Sequence, residues 1–305
     1  MIINQSIASG SQLTTQFWQW RGFSIAYQTA GTAGTAVLLI HGLGASCRHW
    51  RRNIEALAQQ HRVYAIDLIG FGESAKPKPG EAIHYRFETW GEQINDFCRD
   101  VIDEPVHIAA NSIGCLVGLQ AAVNQPEQIK SLALLDCALR LQHERKLNWY
   151  RRIVFPRVQK LLTHPAIGHF FFSKLAQPQV IRKALLKAYS RKEAVTDELV
   201  EILLKPAQDE GAADVFLSFI TYSKGVLPED LLPQVQVPVL IAWGIDDPWE
   251  PFEKGKALAE FPAVKQFVPL PGIGHCPQDE APEIVNPLLI EWFAAQADQA
   301  SRKSA

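Results

Sequence analysis

Four short, largely apolar runs in the first half of the chain, 36–40 (AVLLI), 62–67 (RVYAID), 106–110 (VHIAA) and 132–135 (LALL), constrain the fold more than any other feature. A strand with one face in water alternates apolar and polar residues, whereas a run apolar on both faces is buried on both. Helical spacing fills the intervals, notably at 50–60 and 87–101. Strands and helices in alternation predict an α/β fold, a mostly parallel central sheet flanked by helices. The segment 23–28 alternates instead and predicts an earlier antiparallel edge strand. After Asp136 the pattern changes. From 139 to about 224 only helical periodicity is found, broken at Pro156, Pro165, Pro178, Pro206 and Gly211. Strands resume at 239–243 (VLIAW) and 265–270 (KQFVPL), and an amphipathic helix follows at 283–294. A helical block between two strands of one sheet reads as an inserted cap. The expected organisation is a core in two parts, 1–137 and 229–305, with a helical cap at 138–228. The tail, 296–305, is expected to fray.

Composition bounds the function classes. With 305 residues and 47% hydrophobic content, the chain can bury one large core and carry an insertion. A net charge of −2 singles out no partner, and nothing points to nucleic acid. Five cysteines, with no C-x-x-C pair, suit reduced thiols and offer neither a disulfide framework nor a zinc site. Residues 1–20 lack a basic segment followed by an apolar run, and no stretch approaches the roughly 20 apolar residues of a membrane span. A cytoplasmic protein, soluble or peripheral on a membrane, is expected.

The run 106–110 leads into Asn111-Ser112-Ile113-Gly114-Cys115, with a helix expected at 116–123. Strand, sharp turn and helix with serine at the turn is the pattern of a nucleophile held in a strained backbone between small neighbours. Ala110 stands where the first glycine of G-x-S-x-G falls. An ordinary helix N-cap would also use serine, so the motif needs partners. The N–H of Ile113, at the helix N-terminus, would face a developing oxyanion. His41-Gly42-Leu43-Gly44 follows the first apolar run, and its loop is placed to offer a second donor, the N–H of Leu43. His41 itself reads as structural.

A serine hydroxyl needs a base to take its proton. Of nine histidines, only His275 follows a late strand through a glycine-containing loop, Pro271-Gly272-Ile273-Gly274. An acid must orient the imidazole. Asp247, three residues after Gly244 and directly before Pro248, is the first choice, with Asp246 reading as a turn cap. Asp136, at the end of the preceding strand, is the alternative. Asp67-Leu68-Ile69-Gly70-Phe71-Gly72-Glu73-Ser74 reads as a structural loop beside the site. No metal or organic cofactor is called for. Trp249, Phe71 and Phe171 are the candidate substrate contacts.

Together H-G-L-G, D-L-I-G-F-G-E-S, N-S-I-G, W-G-x-D-D-P-W and G-H-C-P-Q-D-E-A-P resemble the α/β-hydrolase superfamily. The order Ser112, Asp247, His275 is the chain order of that fold. Further runs at 87–98 (FETWGEQINDFC), 195–201 (VTDELVE), 213–217 (ADVFL) and 227–235 (LPEDLLPQV), with D-P-W-E-P at 247–251, resemble the chlorophyll dephytylases of plants and cyanobacteria, relatives of pheophytinase. The likeness runs from about 36 to about 293. It implies hydrolysis of a phytyl ester on a chlorophyll-type pigment, with Ser112, Asp247 and His275 on the triad positions. Lacking a chloroplast transit segment, the chain fits a cyanobacterial setting better than a plant precursor. Ala110 and Cys115 depart from the glycines common in relatives. Hydrolysis of another lipophilic ester or of a C–C bond is the enzymatic alternative. A ligand carrier or receptor on the same fold is the non-enzymatic one. Dehalogenase and epoxide hydrolase chemistry would place aspartate at position 112.

The cap carries Trp149, Tyr150, Phe155, Phe170, Phe171, Phe172, Phe216 and Phe219. Residues 139–192 hold 13 Lys or Arg against Glu144 alone, a net +12, so the rest of the chain carries −14. Solvated helix faces account for such charge. A basic, partly aromatic cap resting on an anionic membrane, such as a thylakoid, is the functional expectation.

Overall fold

The computed structural model describes residues 13–80 and 82–303. Among these, eight strands form one sheet: β1 (Thr15–Trp20), β2 (Phe23–Ala30), β3 (Ala36–Ile40), β4 (Arg62–Ile66), β5 (Val106–Asn111), β6 (Ile129–Leu135), β7 (Val239–Gly244) and β8 (Val264–Leu270). Their order is β1-β2-β4-β3-β5-β6-β7-β8. All pairings from β4 to β8 are parallel, and β2 pairs antiparallel with both β1 and β4. The alternating segment at 23–28 is therefore antiparallel but not an edge. β1 covers it, and β1 (TQFWQW), exposed along much of its length, lacks a two-sided apolar signature.

Helices cover both faces. On one side, Leu38 and Ile40 of β3 pack with Trp90 and Leu116 of α2 (Phe87–Phe97) and α3 (Ile113–Asn124). On the other, Val37 and Leu39 pack with Ile54 and Phe293 of α1 (Ile54–Leu57) and α12 (Pro282–Lys303). Successive residues of one strand feeding two cores is what an all-apolar run means physically. The helix expected at 50–60 shrinks to α1. Buried Asn53 donates its side-chain amide to the Gln278 carbonyl (3.0 Å) and to Asn286 Oδ1 (2.6 Å), which holds the chain in turns there. The helix at 87–101 ends as α2 with a wider π turn through Ile102. The tail expected to fray continues α12 to Lys303. The five cysteines are free and buried.

Between β6 and β7 the chain forms α4 (Trp149–Leu162), α5 (Pro165–Leu175), α6 (Pro178–Ala188), α7 (Asp197–Ala207), α8 (Ala212–Ile220) and the short α9 (Pro228–Leu231). Part of this block has its own apolar cluster, with Leu185, Tyr189 and Leu199, and that cluster includes Cys276 beside the candidate base. α10 (Phe252–Lys256) follows β7, and α11 (Pro277–Glu280) follows β8. The sheet order reverses between β3 and β5, the place where open α/β sheets form crevices at their carboxyl ends. The H-G-L-G loop leaves β3 there, and Ser112 leaves β5.

Candidate active site

Ser112 lies between β5 and α3 with φ 55° and ψ −120°. A non-glycine residue in this region stores roughly 1–3 kcal/mol of strain and persists only when its surroundings over-determine it. Here they do. The Ser112 N–H donates to the Leu135 carbonyl (3.0 Å), and the Ser112 carbonyl accepts from the N–H groups of Cys115 (3.1 Å) and Ala138 (3.2 Å). Asn111 Nδ2 donates to the carbonyls of Leu135 (3.2 Å) and His275 (3.0 Å), tying the elbow to the histidine loop. Gly114 is required for close approach, since a Cβ there would lie 2.6 Å from the His41 carbonyl oxygen. Ala110 is accommodated because it faces Gly118, where even an added Cβ would stay 4.0 Å from the Ala110 methyl. Cys115, its thiol held protonated by burial, donates to the Ala110 carbonyl (3.2 Å).

The structure brings Ser112, His275 and Asp247 into one chain of hydrogen bonds. His275 Nε2 lies 3.0 Å from Ser112 Oγ, and His275 Nδ1 lies 2.7 Å from Asp247 Oδ2. Asp247 Oδ1 accepts from the N–H groups of Trp249 (2.8 Å) and Glu250 (3.1 Å), which fixes the carboxylate plane. The His275 N–H donates to the carbonyl of Ala188 (2.9 Å), the last residue of α6, so the cap helps seat the base. The Trp249 ring packs against the imidazole at 4.9 Å. Asp246 is exposed and outside this chain. Its N–H donates to the Ile273 carbonyl (3.1 Å).

Asp136 is fully buried behind the chain. One oxygen of Asp136, one of Asp247 and one nitrogen of His275 lie within 4.8 Å of one another. Asp136 Oδ1 accepts from the Gly244 N–H (2.9 Å), and Oδ2 has no hydrogen-bond partner. Burial, then the facing Asp247, pushes its carboxyl well above the usual range. Asp136 is thereby held toward its neutral form, and the hydrogen bond to His275 Nδ1 is made by Asp247.

Leu43 and Ile113 border the same cavity as Ser112, and neither N–H has an acceptor among the described residues. Two free donors beside a serine, itself beside a base, can hold the oxyanion of an acyl-transfer reaction. His41 is occupied structurally. Its Nδ1 donates to the Gly42 carbonyl (2.8 Å), leaving Nε2 to accept from the Leu68 N–H (3.0 Å). Asp67 likewise accepts from the N–H groups of Cys47 (2.6 Å) and Glu73 (2.7 Å), and holds its loop.

The cavity measures about 550 Å³, within the range of small-molecule sites. Its wall is mainly apolar, from Leu43, Phe71 and Ile113 of the core to Phe172, Leu203 and Phe216 of the cap. Trp249 and Phe71 line it, as the sequence suggests. Phe171 does not; it is exposed and faces away from the cavity lining. Gly168, Phe172, Leu175 and Ala176 share the inner face of α5 at the i, i+4, i+7, i+8 spacing, and Phe171 sits about 100° around the helix from Phe172. The Phe155 side chain lies outside the described ones.

Two polar residues on this wall carry no motif of their own. His49 Nε2 donates to Tyr189 Oη (2.9 Å), and Tyr189 donates to Asp279 Oδ2 (2.8 Å), which links the loop after β3 to the cap. Glu250 Oε2 accepts from the Leu139 N–H (3.1 Å), and burial pushes its carboxyl up to about 7. Its only sequence signal is its place in D-P-W-E-P.

Fold and site together define an α/β hydrolase. The chain belongs to the alpha/beta hydrolase fold family, whose model matches residues 35–282. It is 26% identical over 310 residues to the chloroplastic pheophytinase of Arabidopsis thaliana, an alignment covering 88% of this chain and 64% of that protein. The chain thus spans somewhat less than two thirds of that relative. Among solved structures it is similar to a membrane phospholipase A described as a bacterial virulence factor, with 27% identity and a TM-score of 0.71, covering 94% of this chain and 86% of that one. A serine hydrolase involved in carbazole degradation shares the fold, at 22% identity and a TM-score of 0.75, covering 93% and 100% of the two chains.

Proposed function

We propose that this protein is a serine carboxylic-ester hydrolase for a lipophilic ester, and that the ester is the phytyl ester of chlorophyll or a related pigment. The observation that carries the reading is the Ser112–His275–Asp247 chain opening on an apolar cavity between core and cap. The likeness to pheophytinase supports the pigment, and the likeness to a membrane phospholipase A supports a lipophilic ester more broadly.

In this reading His275 Nε2 takes the Ser112 proton as Oγ adds to the ester carbonyl. Asp247 stabilises the imidazolium, and the N–H groups of Leu43 and Ile113 hold the oxyanion. Collapse expels the alcohol, which leaves with the proton from His275. Water, deprotonated by His275, then attacks the acyl-enzyme, and a second collapse returns Ser112 and frees the acid. The cavity of about 550 Å³ is walled on its cap side by Phe172, Leu203 and Phe216. The apolar cap side suits the isoprenoid chain, leaving the ring system at the mouth.

The test is incubation of the purified protein with chlorophyll a, pheophytin a and a nitrophenyl ester, alongside Ser112→Ala. Release of phytol by the native protein, lost in the variant, is the expected result. Hydrolysis of the nitrophenyl ester alone would remove the pigment assignment. Undiminished turnover by Ser112→Ala, or no labelling of Ser112 by a fluorophosphonate, would remove the serine mechanism.

A further inference from the structure

We infer that the outward face of α4, continued by α5, is a docking surface for an anionic lipid bilayer. On α4, Trp149, Tyr150, Ile153, Val154, Val158 and Leu161 are all exposed, Trp149 to 77%. At about 100° per residue these six fall within one half of the helix circumference. The contact with the rest of the protein comes from the opposite half. Gln159 Nε2 donates to the Thr221 carbonyl (2.9 Å), and Gln159 and Leu162 are the half-buried positions. A surface helix of a globular protein normally turns its apolar stripe inward and its polar stripe outward. α4 instead turns a broad apolar stripe outward. Phe170 (64% exposed) and Phe171 extend the apolar surface onto α5.

Charge selects the occupant. Residues 149–175 contain five Lys or Arg and no Asp or Glu. Arg151, Arg157, Lys160 and Lys174 are not ion-paired among the described residues. Lys174 lies over the Phe170 ring (5.1 Å) and Arg151 near that of Tyr150 (6.0 Å). The neighbouring acid Asp214 is engaged by His169 Nε2 (2.6 Å). Apolar side chains interleaved with unpaired cations, and flanked by Trp and Tyr, fit the boundary between anionic headgroups and acyl chains. A second copy fits poorly, because pairing this face with itself would set these four cations against another four. No helix among the described residues is long and apolar enough to cross a membrane, so contact at the surface is the mode available to α4.

The docking surface stands on these residues alone. That it delivers substrate rests on the lipophilic-ester reading. α5 carries both faces of that idea, with Phe172 and Leu175 on the cavity wall and Phe170 outside. A lipid-dissolved ester would pass one helix thickness from bilayer to cavity.

The experiment is co-sedimentation of the full chain with vesicles of phosphatidylcholine alone, or mixed with phosphatidylglycerol, at low and high salt. Binding about tenfold or more tighter to the anionic vesicles, weakening as salt rises, is expected. Two double variants locate it: Ile153→Ser with Val154→Ser, and Arg157→Glu with Lys160→Glu. Each should lose about tenfold or more in vesicle affinity while hydrolysing a water-soluble nitrophenyl ester at the native rate. Equal binding to both vesicle types, binding unmoved by both double variants, or a stable dimer that buries this face without vesicles would overturn the inference. A native protein that binds vesicles but cleaves no ester would count against the hydrolase reading and leave the docking surface standing.

Discussion

Replacing Glu250 with Gln removes one ionisation while keeping the side chain's shape and the carbonyl that accepts from the Leu139 N–H (3.1 Å). Burial is the main cause that raises the Glu250 carboxyl from 4.5 to about 7. Asp247 adds to it, and the Leu139 N–H, His275 and Lys146 oppose it. In the unfolded chain the carboxyl ionises at its ordinary value. Between pH 4.5 and about 7 the native state therefore holds a proton that the unfolded state has lost. Stability contributed by the protonated form is complete below pH 4.5 and is lost as pH rises through about 7. At about 1.4 kcal/mol per pH unit, the interval amounts to about 3 kcal/mol, which the partial solvent contact of the residue trims to about 2 kcal/mol.

Glu250→Gln should then match the native protein at pH 4.5 and exceed it by about 2 kcal/mol at pH 8.5. Urea unfolding of both proteins across that range measures the difference, and titrations elsewhere in the chain cancel in it. The m value should stay the same, because the surface exposed on unfolding does not change. A stability gap that is flat with pH, or that narrows as pH rises, would refute the assignment of a buried, protonated carboxyl to Glu250.

Asp247→Asn should lower kcat on a nitrophenyl ester by about 10⁴-fold, because an amide favours the wrong imidazole tautomer. Asp136→Asn should cost less than about tenfold, since its carbonyl can still accept from the Gly244 N–H. Equal losses would mean that His275 depends on both acids. Gly114→Ala, with its Cβ 2.6 Å from the His41 carbonyl, should lower stability by about 1–3 kcal/mol through overpacking, read as a lower urea midpoint with unchanged m. Leu203→Trp would fill part of the cavity and should raise KM for a long-chain ester by about tenfold, with a smaller change for an acetyl ester, a ratio that steady-state kinetics on the two substrates gives directly.

The parts of this fold that are legible in sequence share one property: their environment is the same on every side. β3, β5 and β7 are buried on both faces, and apart from His107 and Asn111 of β5 they hold no polar side chain, so these strands announce themselves. β1 is half in water at the sheet edge, and its sequence, TQFWQW, neither alternates nor stays apolar, so it marks no core. α1 sits among buried polar contacts from Asn53, so helical spacing at 50–60 overstates its length. The elbow was legible because its geometry demands small residues over a few positions, and that demand is local.

The rest of the site is set by contacts between distant segments. Asp246 and Asp247 differ by one residue, yet only Asp247 reaches His275, at 2.7 Å, because the two N–H groups that follow it turn its carboxylate inward. Of the three consecutive phenylalanines, Phe172 and not Phe171 lines the cavity. The phase of α5 is set by Gly168, which admits Leu217 so closely that a Cβ would meet it at 2.6 Å. The protonation of Asp136 and Glu250 comes from burial beside Asp247, more than a hundred residues from the first and three from the second, and no local pattern encodes it. The same reasoning bears on α4. Charge along 139–192 is visible in the sequence, but whether an apolar stripe faces a core or the solvent depends on what packs behind it. With Gln159 turned toward Thr221, Trp149 and Ile153 are left outside. The cap's basic charge becomes an argument for a lipid surface only once that orientation is known.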